Sequence, residues 1–267
     1  MRPILSPTKE LTFLMAGDAS AIAATGSSFT AASRRRDLIQ LTVGYTLILL
    51  VIWTPNPWQR PLYLATILWV VLSTCISFDG WASMGLRVSI PFRSLWIIAA
   101  SLTFAVIAIA IAARLHTLRQ FEGLPAFIQR YWGYAIFAFA QQFLLQAFFL
   151  LRLLRLLPTK TTAVVVAASL FALAHLPNPI LTPITLVWGL VCCLHFLRYR
   201  SLYPLAISHA ILGISLAITI PGPIDHNMRV GLGYLTYRPH HGHHRSHSDH
   251  IVSTEACVIA DAPTLRS

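Results

Sequence analysis

The sequence predicts an all-α fold, a polytopic membrane helix bundle of about seven transmembrane helices, and three observations carry that prediction. Of the 267 residues 56% are hydrophobic and 11% charged, whereas a globular domain carries about 25% charged residues. Mean hydropathy is +0.65. Apolar runs recur at 38–53, 62–78, 94–113, 131–151, 161–176, 180–197 and 202–220, each close to the roughly 17–25 residues that an α-helix needs to cross the hydrocarbon layer.

Each segment has its own justification. Residues 1–37 are rich in Ala, Ser and Thr without apolar periodicity and close on "RRRD" at 34–37. They read as a flexible basic N-terminal tail on the cytoplasmic side and not as a cleaved signal peptide, because the charged, apolar and cleavage regions do not follow in order. The runs at 38–53 and 161–176 are the shortest, which suits tilted or re-entrant segments. The remaining five are long enough to span directly, and together the runs make up a transmembrane domain over 38–221. Adjacent Cys192 and Cys193 in the sixth run read as small packing residues, since the four cysteines at 75, 192, 193 and 257 have no metal or redox spacing. Residues 222–267 form a His-rich tail, with His240, His241, His243, His244, His247 and His250 in "HHGHHRSHSDH". That composition suits either loose binding of zinc, copper or nickel or a solvated tail. We take the tail as solvated, with no metal and no cofactor assigned.

Charge follows the same map. The formal +11 divides into +2 over 1–37, +9 over 38–221 and zero over 222–267. Basic residues close to the runs lie mainly at the end shared with Arg34, Arg35 and Arg36, so the positive-inside rule places the N-terminus in the cytoplasm. Loops of this kind set orientation at anionic membrane lipids, and nucleic acid is not an expected partner.

Polar groups inside the runs are few, and each must face a protein interior, a cavity or another polar group. The fourth run holds Gln141, Gln142 and Gln146 in "AFAQQFLLQAFF". His175 stands near the end of the fifth, His195 near the end of the sixth and His209 in the seventh. At 3.6 residues per turn Gln142 and Gln146 stack on one face, while Gln141 is turned by about 100°. Taken singly, each glutamine reads as an amide cross-link between helices worth about 0.6 kcal/mol, and each histidine as a satisfied core residue.

Taken in order, "QQFLLQ" at 141–146, "FALAH" at 171–175 and "HAILG" at 209–213 resemble the three signatures of the CAAX prenyl protease and bacteriocin-processing family of intramembrane proteases. Those signatures are Glu-Glu-x-x-x-Arg, Phe-x-x-x-His and His-x-x-x-Asn, each on a membrane helix. The resemblance covers roughly residues 95–220. It implies an integral protein of a bacterial cytoplasmic membrane and a prenylated or transmembrane peptide as substrate or ligand. In the family a glutamate activates water for attack on a peptide bond, histidines assist it, and the Asn with a His holds the oxyanion. Carried over by position, Gln141 and Gln142 stand at the glutamates, Gln146 at the arginine, His175 and His209 at the histidines, and Gly213 at the asparagine.

The departures from the pattern bear on the chemistry. A neutral amide cannot take a proton from water near pH 7, and no acidic residue occurs from 123 to 224. Gly213 supplies no side-chain donor to an oxyanion, a loss typically worth about 2.7–4 kcal/mol in a barrier. The expected function is therefore a homologue of these endopeptidases with weak or no water-mediated proteolysis. A non-enzymatic membrane binding or immunity module is the alternative, and a small-solute carrier the second, although the proline-rich stretch at 177–183 has no matching second half. If the family order holds in space, Gln141, Gln142, His175 and His209 lie together, which requires tilt or staggered ends because the two histidines fall at different distances along parallel runs.

Overall fold

A computed structural model describes residues 31–87, 92–120 and 123–238 of the chain. Residues 1–30 of the tail assigned to 1–37, the histidines from His240 to His250 and Cys257 lie outside the described residues.

Seven main helices follow the seven apolar runs: α1 Ala31–Trp53, α2 Gln59–Ile76, α3 Trp96–Arg114, α4 Leu124–Leu156, α5 Lys160–Leu173, α6 Leu181–Tyr199 and α7 Tyr203–Thr219. Their ends have chemical causes. Helix α4 starts after Gly123, held at φ 92°, with a proline in its first turn. That is where a missing N–H costs nothing. At its other end Pro158 stops it. The Thr159 hydroxyl accepts the Thr162 amide at 3.1 Å to open α5, and Asn178 Oδ1 accepts the amides of Ile180 and Leu181, each at 3.0 Å, to open α6.

Five of these helices, α1, α2, α3, α4 and α6, are long and apolar enough to cross a membrane. Helix α7 qualifies together with Gly222–Met228, beyond a bend of 116°. Helix α5 has 14 residues, about 21 Å at 1.5 Å per residue, short of a hydrocarbon layer about 30 Å thick. The protein is thus an integral membrane protein, with α5 the run that falls short.

Two boundaries differ from those expected. Helix α1 begins at Ala31, inside the segment assigned to the N-terminal tail, because Asp37 is fully buried and accepts Arg155 Nε at 2.7 Å and Nη2 at 3.1 Å. The C-terminal boundary at 222 also shifts, since residues 222–238 fold back on the bundle. Asn178 Nδ2 donates to the carbonyls of Asp225 at 2.9 Å and Arg229 at 3.1 Å. Arg119 Nη2 donates to Asn227 Oδ1 at 2.8 Å, and the Gly231 amide bonds the Leu176 carbonyl at 2.7 Å. Gly231 has φ +54° and sits hard against Ile52, which leaves no room for a side chain.

Helix α7 lies against both α3 and α4, α5 runs along α6, and α1 pairs with α2. The α5–α6 approach depends on small residues: a Cβ at Gly189 would sit 3.2 Å from Ala168. Phe148, Phe196, Leu145, Leu150, Leu202 and Leu205 fill the centre. The central part of α4, Leu144–Leu150, is a π-helical turn whose residues from Leu145 onward are all buried. Such a turn adds a residue to the helical register and re-aims the side chains around it.

At the end of the bundle that carries Arg34 to Asp37, polar groups of α4 tie α1 and α2 together. Arg152, buried, donates Nε to Gln40 Oε1 at 2.9 Å, Nη2 to the Ser73 carbonyl at 3.0 Å and Nη1 to the Phe148 carbonyl at 2.9 Å. One turn on, Arg155 joins Asp37 and Asp79, the latter at 2.6 Å. Removing one member of a buried pair strands a charge, which costs more than the pair itself contributes. Arg155→Ala should therefore lower stability by about 3 kcal/mol, read as thermal unfolding of the purified protein in detergent. The double variant Asp37→Asn/Arg155→Ala should recover most of the loss, and equal destabilisation by the two would contradict the stranded-charge account.

Candidate functional site

Halfway along α4 the interior turns polar. Gln142 and Gln146 have no exposed surface, and one turn of helix brings Gln146 Nε2 to 3.3 Å from Gln142 Oε1. Gln142 uses its own Nε2 to reach His209 Nδ1 on α7 at 2.8 Å, a buried contact. The amide nitrogen can only donate, so His209 Nδ1 accepts and the imidazole carries its proton on Nε2. Gln146, Gln142 and His209 thus form one directed chain of hydrogen bonds. It ends in an unsatisfied group, as Gln146 Oε1 is buried without a partner.

Phe171 on α5 connects this chain to His175. Its ring lies edge-on to His209 with centroids 5.9 Å apart and edge-on to His175 with centroids 4.9 Å apart. The two imidazoles are near enough to interact electrostatically. His175 sits just past the end of α5, half-buried, with Nδ1 2.7 Å from the Phe171 carbonyl. A carbonyl accepts, so Nδ1 donates and Nε2 keeps its lone pair. The staggered ends anticipated for bringing the histidines together thus take a specific form: α5 stops short, and Phe171 fills the gap between the rings.

The sequence-marked residues do not all join this cluster. Gln141 is half-buried and has no part in the hydrogen-bonded chain, because its side chain leaves the helix about 100° away from Gln142. His195 is structural: its Nε2 meets the Ser94 carbonyl at 3.0 Å, and its ring lies against Trp96 and Tyr199.

Gly213, one turn beyond His209, faces a tyrosine. A Cβ at this position would collide with the phenol oxygen and ring carbons of Tyr134. Tyr134 therefore occupies the space into which a side chain at 213 would project. It stands a little over two turns before Gln142 on α4, and helical spacing alone did not single it out. Cys192 and Cys193, which composition marked as packing residues, also border the site. Both are fully buried, Cys192 beside Gln142 and Cys193 beside Gln146. No spacing rule connects residues 50 positions away on another helix with these amides. Among the described residues no three His, Cys, Asp or Glu side chains converge in a way that would hold a metal ion.

Fold and site together define a membrane helix bundle with an interior cluster of amides, imidazoles and thiols, drawn from α4, α5, α6 and α7. Residues 126–214 match the family described as Type II CAAX prenyl endopeptidase Rce1-like. This stretch is about a third of the chain and contains Gln142, Gln146, His175, His209 and Gly213. No curated protein and no solved structure matches the chain.

The Tyr134 contact makes a steric prediction. Gly213→Asn, which places the asparagine of the resembled signature here, should destabilise the protein by about 1–3 kcal/mol through overpacking, and adding Tyr134→Ala should relieve most of that cost. Thermal unfolding of the single and double variants in one detergent measures it. A Gly213→Asn protein as stable as wild type would mean that Tyr134 yields freely.

Proposed function

We propose that the protein is a homologue of the CAAX prenyl endopeptidases that retains the scaffold of an intramembrane protease and has lost its water-activating carboxylates. The observation that carries this reading is the 2.8 Å contact between Gln142 and His209. At the position of a family glutamate stands an amide already committed as a donor to the histidine, and it has no basic lone pair to take a proton from water. His209 is committed in turn, since Nδ1 accepts from Gln142 and Nε2 holds the proton. That leaves His175 Nε2 as the one basic lone pair in the cluster. A solitary histidine without an orienting carboxylate, facing an oxyanion position that has lost its side-chain donor at 213, supports at most weak hydrolysis.

A second reading is favoured by the apolar groove bounded by α3, α4 and α7. It has a volume of about 560 Å³, and its lining includes Ile109, Phe139, Ile211 and the alanines on either side of His209 in the helix, Ala206 and Ala210. A groove of this composition suits an apolar or lipidated peptide, so a protein that binds such a segment without cutting it is the non-enzymatic form of the same proposal. The excess of basic residues at the Arg34 to Arg36 end supports a cytoplasmic N-terminus in a bacterial inner membrane.

The test is cleavage of a prenylated or transmembrane reporter by the purified protein in lipid, with wild type compared with Gln141→Glu/Gln142→Glu and with His175→Ala/His209→Ala. Wild type should cleave no faster than the histidine variant, while a binding role retains the reporter intact on the protein. Robust wild-type turnover abolished by His175→Ala alone would overturn the inactive reading and identify His175 as the base.

A further inference from the structure

At the opposite end of α4 from Gly123, α1 and α2 enclose a second groove, of about 450 Å³, lined by Arg35, Arg36, Ile39, Gln40, Trp69 and Ile76, with Ala32 at its edge. The α1 residues are spaced three, four and seven apart, one stripe of the helix surface, and Trp69 and Ile76 lie two turns apart on α2. The groove has a cationic mouth and an apolar wall. Ile39 and Ile76 are 46% and 66% exposed, and Trp69 closes the inner side by donating its indole N–H to the Gln40 carbonyl at 3.2 Å.

The charge at the mouth is unbalanced. Asp37 and Asp79, the described acids at this end, are both held by Arg155. Arg34 turns away to donate to the Leu156 carbonyl at 3.4 Å. Arg35 and Arg36 are exposed and meet no carboxylate among the described residues. Behind them stands Arg152, hydrogen-bonded only to neutral acceptors and close enough to Arg36 for the two charges to interact. Cations over an apolar slot in the outer wall of a membrane bundle complement an anionic headgroup with an attached hydrocarbon chain.

We propose that this groove binds one anionic glycerophospholipid, its phosphate against Arg35 and Arg36 and an acyl chain along Ile39, Trp69 and Ile76. Being remote from the Gln142–His209 cluster, the site is independent of the protease-like reading.

The experiment is native mass spectrometry of protein purified with equal amounts of phosphatidylglycerol and phosphatidylcholine. Wild type should retain phosphatidylglycerol preferentially. Arg35→Ala/Arg36→Ala should reduce that preference roughly thirtyfold, at about 1 kcal/mol per arginine near the surface, while the exposed control pair Arg93→Ala/Arg198→Ala leaves it unchanged. Ile39→Trp fills the apolar slot with the charges intact and should also lower retention, so the test stands even if the arginine variant unfolds. Equal retention by wild type and either groove variant overturns the proposal. So does ready displacement by free glycerol phosphate, which would make the site one for soluble anions.

Discussion

The structure depends on one constraint, that a polar side chain in the hydrocarbon layer must find its partner inside the protein, and one helix links several neighbours by meeting it. Helix α4 carries Tyr134, Gln142, Gln146, Arg152 and Arg155 along its length, and together they address α1, α2, α6 and α7. Tyr134 and Gln142 meet α7, the two glutamines meet the thiols of α6, and the two arginines reach α1, α2 and the turn after α2. The apolar surfaces of the surrounding helices give little direction of their own, because lipid is as apolar as they are. Register between α4 and its neighbours is therefore set by these polar contacts and by the small residues that permit close approach.

The π-helical turn at Leu144–Leu150 fits this role. It contains Gln146 and falls between Gln142 and the arginines, and the extra residue changes the angular offset between Gln142 and those arginines. Thus Gln142 faces α7 while Arg152, ten residues on, faces α1 and α2. A helix with a constant 100° step would hold those residues in a different angular relation.

Much of this was legible in the sequence, and the rest was hidden for identifiable reasons. The seven runs, the interior position of the glutamines and the pairing of Gln142 with Gln146 follow from hydropathy and helical period. The start of α1 did not, because Arg34 to Asp37 reads as solvated tail until Arg155, more than a hundred residues away, is known to lie beside Asp37. For the same reason the segment after Pro221 read as tail, its anchors at Arg119, Asn178 and Leu176 all being distant in sequence. At the candidate site, motif order pointed to Gln142, His175 and His209. Gln141 looked equivalent to Gln142 as one of a doublet, and only the side-chain directions separate them. Tyr134 stayed out of view because it matters through the side chain that Gly213 lacks.

An amide at 142 differs from the glutamate of the resembled signature in more than basicity. A carboxylate accepts from every side, whereas an amide must donate with one atom and accept with the other. Here Oε1 takes the Gln146 proton, Nε2 gives one to His209, and the histidine is fixed in the tautomer that presents Nε2–H. Gln146 bears on the same difference. A carboxylate at 142 beside a neutral amide would be a fully buried anion with no counter-charge, and burial without a partner favours its protonated, catalytically useless form. The arginine of the family motif, one turn away at 146, supplies that counter-charge. With both positions converted to amides the interior needs no ion pair and pays no desolvation cost for one. The residues at 142 and 146 are thus coupled: two amides leave the cluster neutral, whereas a base at 142 calls for a cation at 146 as well.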